Sequence, residues 1–149
     1  MTGDIYKVNH GRNCFTDDEW QIFLNYKVIV VAGFYEETRL KEMKFGDYFC
    51  LNHGNINGGQ GFQLIGRIVD VDAVKCPVKN GWWQRSYEPV IKPKLGKEFY
   101  TGASKKKWTP SGLGGHGEGT IFQVPKNEES DFEKIILIPH FGITLSQLF

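Results

Sequence analysis

Apolar and polar positions along this chain fall into many short blocks, and most read as strands. Ile5 to Val8 (IYKV) is a short strand that breaks into a turn at Asn9-His10-Gly11. Thr16-Asp17-Asp18-Glu19 is a capping box, because the Thr16 hydroxyl can accept from the Glu19 amide while the Glu19 side chain returns to the Thr16 N–H. A helix over Asp17 to Asn25 follows, with Trp20, Phe23 and Leu24 on its inner side. Val28 to Ala32 is a β-branched run without polar alternation, so it predicts a strand buried on both faces. Glu36 to Lys44 is charged and suits a short helix. After the Gly46-Asp47 turn, Tyr48 to Asn52 is the next strand.

His53 to Gly61 reads as a flexible hairpin or ligand loop, rich in glycine and amides. Phe62 to Val71 is the longest expected strand, and Gly66 at its centre marks a bulge or a close backbone approach. From Lys75 to Trp108 there is little periodicity, and Pro77, Pro89 and Pro93 argue against long regular elements. Leu113 to Gly119 is a second glycine-rich loop. Thr120 to Val124 and Lys134 to Ile138 are the last expected strands, joined by an acidic loop from Glu128 to Glu133, and the tail Ile143 to Phe149 begins as a helix and stops. Many short strands with a few helices predict an α+β domain built on a small, strongly bent β-barrel.

Length changes this picture little: 149 residues suit one domain with a self-sufficient core. No apolar run approaches the roughly 20 residues of a membrane-spanning helix, and the first ten residues lack a signal peptide's apolar stretch. Three well-separated cysteines, Cys14, Cys50 and Cys76, fit a reduced cytoplasmic protein better than a disulfide scaffold.

Charge changes it more. Between Lys75 and Trp108 nine basic residues stand against two acidic ones, a local charge of +7 in a chain whose total is +1. Trp82, Trp83, Tyr87, Phe99, Tyr100 and Trp108 punctuate that stretch. Cations beside aromatic faces suit a polyanion that carries flat bases, and the plain alternative is a solvated loop beside two core tryptophans. On an extended segment Trp82 and Trp83 point to opposite faces, so one can enter the core while the other lines a pocket. Arg85, Lys92, Lys94, Lys97, Lys105, Lys106 and Lys107 are the expected phosphate-backbone contacts.

Catalytic patterns are scarce. His10, His53, His116 and His140 lie in separate segments, and a His-Gly pair is turn chemistry as readily as a ligand. There is no nucleophile elbow, no P-loop and no CxxC spacing. Asp70 and Asp72 on one strand face offer a divalent metal two carboxylates, thin support for a nuclease. No cofactor, metal or catalytic residue is therefore expected.

The run Gly46-Asp47-Tyr48-Phe49-Cys50-Leu51-Asn52-His53-Gly54-Asn55, followed by Leu64-Ile65-Gly66-Arg67-Ile68, resembles the N-terminal reader domains of McrB-type, modification-dependent restriction systems. Tyr6 to Gly11, the capped helix and Val28 to Val31 agree with that order. Those domains belong to the EVE/YTH group of PUA-like folds. The resemblance implies a non-catalytic module, spanning 1–149 as the N-terminal part of a longer protein, that flips a methylated base of duplex DNA into an aromatic pocket. Carried onto this chain, it makes Lys7, Asn9, His10, His53, Asn55, Trp82 and Trp83 candidates for the base pocket, beside Tyr87 of the aromatic stretch. Where the YTH branch has a cage tryptophan after the second strand, this chain reads Ala32-Gly33-Phe34-Tyr35, so Phe34 or Tyr35 substitutes. Implied partners are modified DNA, an AAA+ GTPase motor further along the same chain and a nuclease subunit. An RNA-binding EVE or ASCH-like domain is the alternative, and a small metal-dependent nuclease a weaker one.

Overall fold

A computed structural model describes residues 3–10, 15–32, 39–56, 59–110 and 121–149, with backbone alone at 10, 32, 53–56, 59 and 60. The strands are β1 (Ile5–His10), β2 (Val28–Ala32), β3 (Tyr48–Ile56), β4 (Gly59–Ile68), β5 (Val74–Lys75), β6 (Trp82–Ile91) and β7 (Ile121–Gln123). They form one sheet in the order β2-β6-β4-β3-β1-β7, with β5 on β6. Among the described strands, only β1 and β3 pair in parallel. The sheet curls into a half-barrel, bringing β1 near β2.

Alternation along each strand explains the layers. Tyr6, Val8, Ile29, Val31, Phe49, Leu51, Leu64 and Tyr87 fill the concave inner face. Ile5, Cys50, Phe62, Ile65 and Val124 point outward and are covered by the C-terminal helices. Val28 and Val30 point outward beneath α1 (Asp17–Tyr26), against Phe15 and Phe23. β2 is thus buried on both faces, as its unbroken β-branched run requires.

Helix α1 starts at the Thr16–Glu19 capping box and ends at Lys27, whose φ of 56° is left-handed. Residues 39–42 form a helical turn, α2. The loop read at His53 to Gly61 is largely strand, since β3 runs to Ile56 and β4 begins at Gly59. Gly66 has both features expected of it. The β4–β6 register shifts between Ile65 and Gly66, and a Cβ on Gly66 would stand 2.6 Å from Phe49 Cζ and 2.9 Å from Tyr87 Cδ2.

Three expectations are corrected. The lysine-rich stretch holds a ten-residue strand, β6, with Pro89 accommodated at the irregular register opposite Gly66. Lys134 to Ile138 is not a strand but part of a π-helix, Glu133–Phe141, burying Ile136, Leu137, His140 and Phe141. An unbroken apolar run fits a buried helix as well as a buried strand. A regular α-helix would press the Pro139 ring onto a carbonyl one turn back, and the wider turn relaxes that approach. The acidic loop before it is helical too: a 3₁₀ turn at Lys126–Glu128 leads into α3 (Glu129–Phe132). In the tail, Thr144 and Gln147 form a second capping box on α4 (Leu145–Leu148). The glycine-rich loop at Leu113 to Gly119 lies outside the described residues. Among the described residues, no helix is long and apolar enough to cross a membrane.

Candidate nucleic-acid interface

Strand β6 sends Trp83, Arg85 and Tyr87 to the inner side and Trp82, Gln84 and Ser86 to the side beneath α1. Both tryptophans are half-buried. Trp82 tilts against Phe15 with ring centroids 5.3 Å apart, and the Lys79 ammonium lies 5.0 Å from its ring. Lys79 also pairs with Glu19 at 3.0 Å, tying this corner to the first turn of α1. Trp83 packs at the edge of the inner cluster, opposite Val31 of β2 and Lys75 of β5. Lys41 of α2 places its ammonium 4.5 Å from the Trp83 ring centroid. Sequence reasoning missed Lys41, since nothing local links a charged turn to a strand some forty residues on.

Arg85 is not a phosphate contact. Its side chain is fully buried. Nε donates to Asp70 Oδ1 at 2.6 Å, Nη2 to the Asp70 carbonyl at 3.0 Å, and Nη1 to the carbonyls of Leu40, at 2.8 Å, and Met43. Asp70 Oδ2 accepts the Ser86 N–H at 2.7 Å. The arginine therefore locks β6 to α2. Asp70 is occupied as its counter-ion, while Asp72 is exposed outside any strand, so the two carboxylates do not form the shared strand face expected of them. Among the described residues no three metal-ligating side chains cluster.

Tyr87 is likewise a core residue rather than a pocket wall. It meets Phe49 edge-on at 5.1 Å, and burial pushes its phenol up to about 12. Lys7 lies on the outer side of β1, fully buried, with Nζ donating to the Thr109 carbonyl at 3.4 Å. Burial lowers its ammonium to about 8. It pairs in register with Cys50, whose thiol burial pushes up. Asn9 continues this polar ladder, accepting from Asn52 Nδ2 at 3.0 Å. His10 and His53 are backbone register partners at the ends of β1 and β3, and Asn55 lies in the extension of β3. Phe34 and Tyr35 lie outside the described residues.

The remaining predicted cations, Lys92, Lys94, Lys97, Lys105, Lys106 and Lys107, are all exposed. They do not surround the tryptophans, because β6 carries the chain about 30 Å along its ten residues before the first of them. Lys94 to Lys97 forms a turn closed by a 2.9 Å hydrogen bond, and Lys106 pairs with Glu128 at 3.3 Å. Trp108 is a core residue whose Nε1 donates to the same carboxylate at 3.1 Å. The single basic-aromatic stretch of the sequence thus becomes two surfaces. One holds Trp83 with Lys41 and the exposed Lys75. The other holds the exposed Lys94 and Lys97 with Phe99 and Tyr100, while Lys106 turns to Glu128 and Lys107 lies 5.7 Å from the Phe122 ring of β7.

No protein-family model and no curated protein matches the chain. Among solved structures, it is similar to a hypothetical protein from Leishmania major, with a TM-score of 0.55 at 13% identity over 89% of this chain and 93% of that one. It is also similar to a protein from Pseudomonas syringae, with a TM-score of 0.50 at 17% identity over 86% of this chain and 96% of that one. At these identities the shared property is the fold.

Proposed function

We propose that this chain is a non-catalytic, EVE/YTH-like reader of the PUA-like group, binding modified duplex DNA with one flipped base against Trp83. The observation that carries the reading is the half-buried Trp83 indole at the edge of the inner cluster, with the Lys41 ammonium 4.5 Å from its ring. An indole face stacks on any base, contributing about 1–3 kcal/mol, and the Lys41 ammonium, which lies over the ring, yields that face to the base and meets the phosphate of the extruded nucleotide. The exposed lysines beyond Ile91 hold the backbone further along. A duplex rises 3.4 Å per base pair, so about 30 Å of β6 corresponds to roughly nine base pairs. By the resemblance of Gly46 to Asn55 and Leu64 to Ile68, the module targets a restriction system whose AAA+ GTPase motor lies in the same chain and whose nuclease is a separate subunit.

Competition between duplex DNA and RNA of matched sequence tests the choice of polymer. Duplex DNA carrying a methylated base displaces the RNA in this account. RNA outcompeting the duplex moves the reading to the RNA-binding alternative.

A further inference from the structure

A cleft of about 690 Å³ opens between the Lys97–Ser104 stretch and the π-helix, within the roughly 300–1,000 Å³ range of ligand pockets. Phe99 and Tyr100 line it from the loop; Ile135, Pro139 and His140 line it from the helix. Three hydrogen bonds hold it in shape. Tyr100 Oη donates to the Ser104 carbonyl at 2.7 Å, and His140 Nδ1 lies 2.7 Å from the Lys97 carbonyl. The Lys94 amide donates to the His140 carbonyl at 2.7 Å. A carbonyl only accepts, so His140 carries its proton on Nδ1, which leaves Nε2 as an acceptor on the neutral ring. Burial lowers the His140 pKa and favours that neutral form.

The chemistry of the walls narrows the ligand. Phe99 is 38% exposed and gives the cleft an accessible aromatic face. No lining residue is acidic; Lys97 lines the cleft, and the exposed Lys94 stands in the turn beside it. Leu95, 97% exposed in the turn beside the cleft, adds an apolar side chain among those cations. A flat ring joined to an anion fits this combination of aromatic and aliphatic walls, an imidazole acceptor and a cationic rim.

We infer that the cleft binds one nucleotide unit of a single-stranded nucleic acid, its base stacked on Phe99 and its phosphate on Lys97. A base inside a duplex presents no free face, whereas an unpaired base does, and stacking on an aromatic ring tolerates any sequence. This contact lies beyond the far end of β6 from Trp83 and goes beyond the reading of a modified base there.

The test is anisotropy titration of a fluorescein-labelled five-residue oligothymidylate against the whole chain and its variants. Phe99→Ala weakens binding by about tenfold or more. Lys97→Gln weakens it and lowers the salt slope by about 0.7. Thymidine monophosphate competes far more weakly than the oligomer. The inference is overturned by unchanged oligomer affinity in Phe99→Ala and Lys97→Gln, each with a wild-type melting temperature. It is equally overturned by a mononucleotide binding as tightly as the oligomer. Discrimination between methylated and unmethylated duplexes is a separate readout, so failure at one site leaves the other assessable.

Discussion

Lys41 holds its ammonium 4.5 Å from the centroid of the Trp83 ring, joining α2 to β6 at the edge of the concave face. Trp82, the next residue back along β6, packs instead on Phe15 beneath α1. The two tryptophans should therefore fail in different ways. Trp83→Ala lowers affinity for a modified duplex at least tenfold, read by anisotropy. Trp82→Ala costs about 2–3 kcal/mol in urea denaturation, less than a fully buried aromatic, and leaves DNA affinity within twofold. Equal loss of affinity in both variants would contradict the assignment.

Arg85, fully buried, forms an ion pair with the partly exposed Asp70 and also satisfies the Leu40 and Met43 carbonyls. Arg85→Ala leaves the Asp70 carboxylate without its counter-ion and the Leu40, Met43 and Asp70 carbonyls without this donor, and should cost about 3–5 kcal/mol. Arg85→Lys rescues little, because an ammonium cannot reproduce the planar fork. Denaturant midpoints of the two variants check both statements, and a midpoint near wild type for either would contradict the pairing.

Gly66→Ala is the direct probe of the tight crossing in β4. The added methyl would meet Phe49 Cζ at 2.6 Å and Tyr87 Cδ2 at 2.9 Å, with two rings in edge-on contact already filling the space. A loss of about 1–3 kcal/mol is expected from overpacking, measured by thermal or chemical unfolding.

Lys7 gives a pH dependence with a defined sign. Its ammonium is lowered by burial from 10.5 to about 8. Between those values the unfolded chain holds a proton that the native chain has released, so stability rises as pH increases from about 8. Cys50, pushed up by burial from 9.0, opposes this above pH 9, where only the unfolded chain loses the thiol proton. The clear window is therefore pH 8 to 9. Urea denaturation across it should show rising stability in the wild type and a flatter profile in Lys7→Met.

Much of the fold was legible where the signal is local. The Thr16–Glu19 capping box and the Val28–Ala32 run each depend on neighbouring residues alone, and both elements form there. Gly66 was legible as a pinch because a glycine inside an apolar strand weakens it unless a neighbour needs the room. Lys134 to Ile138 was not, because an apolar run carries no period to separate helix from strand. Strand β6 was hidden because its inward positions include Arg85, which reads as surface until Asp70 and the α2 carbonyls are brought to it. The same hidden strand explains why lysines and tryptophans adjacent in sequence lie on separate surfaces. Lys7 read as a pocket cation; its burial rests on Thr109, 102 residues away.

Binding of two duplexes that differ by a single methyl group on one base tests the central claim most directly. Anisotropy titrations at fixed salt, with the wild type and Trp83→Ala, supply the comparison. The account predicts tighter binding of the methylated duplex by the wild type, with that preference lost in Trp83→Ala while residual, salt-dependent binding persists through the lysines. Equal affinity of the wild type for both duplexes would contradict it.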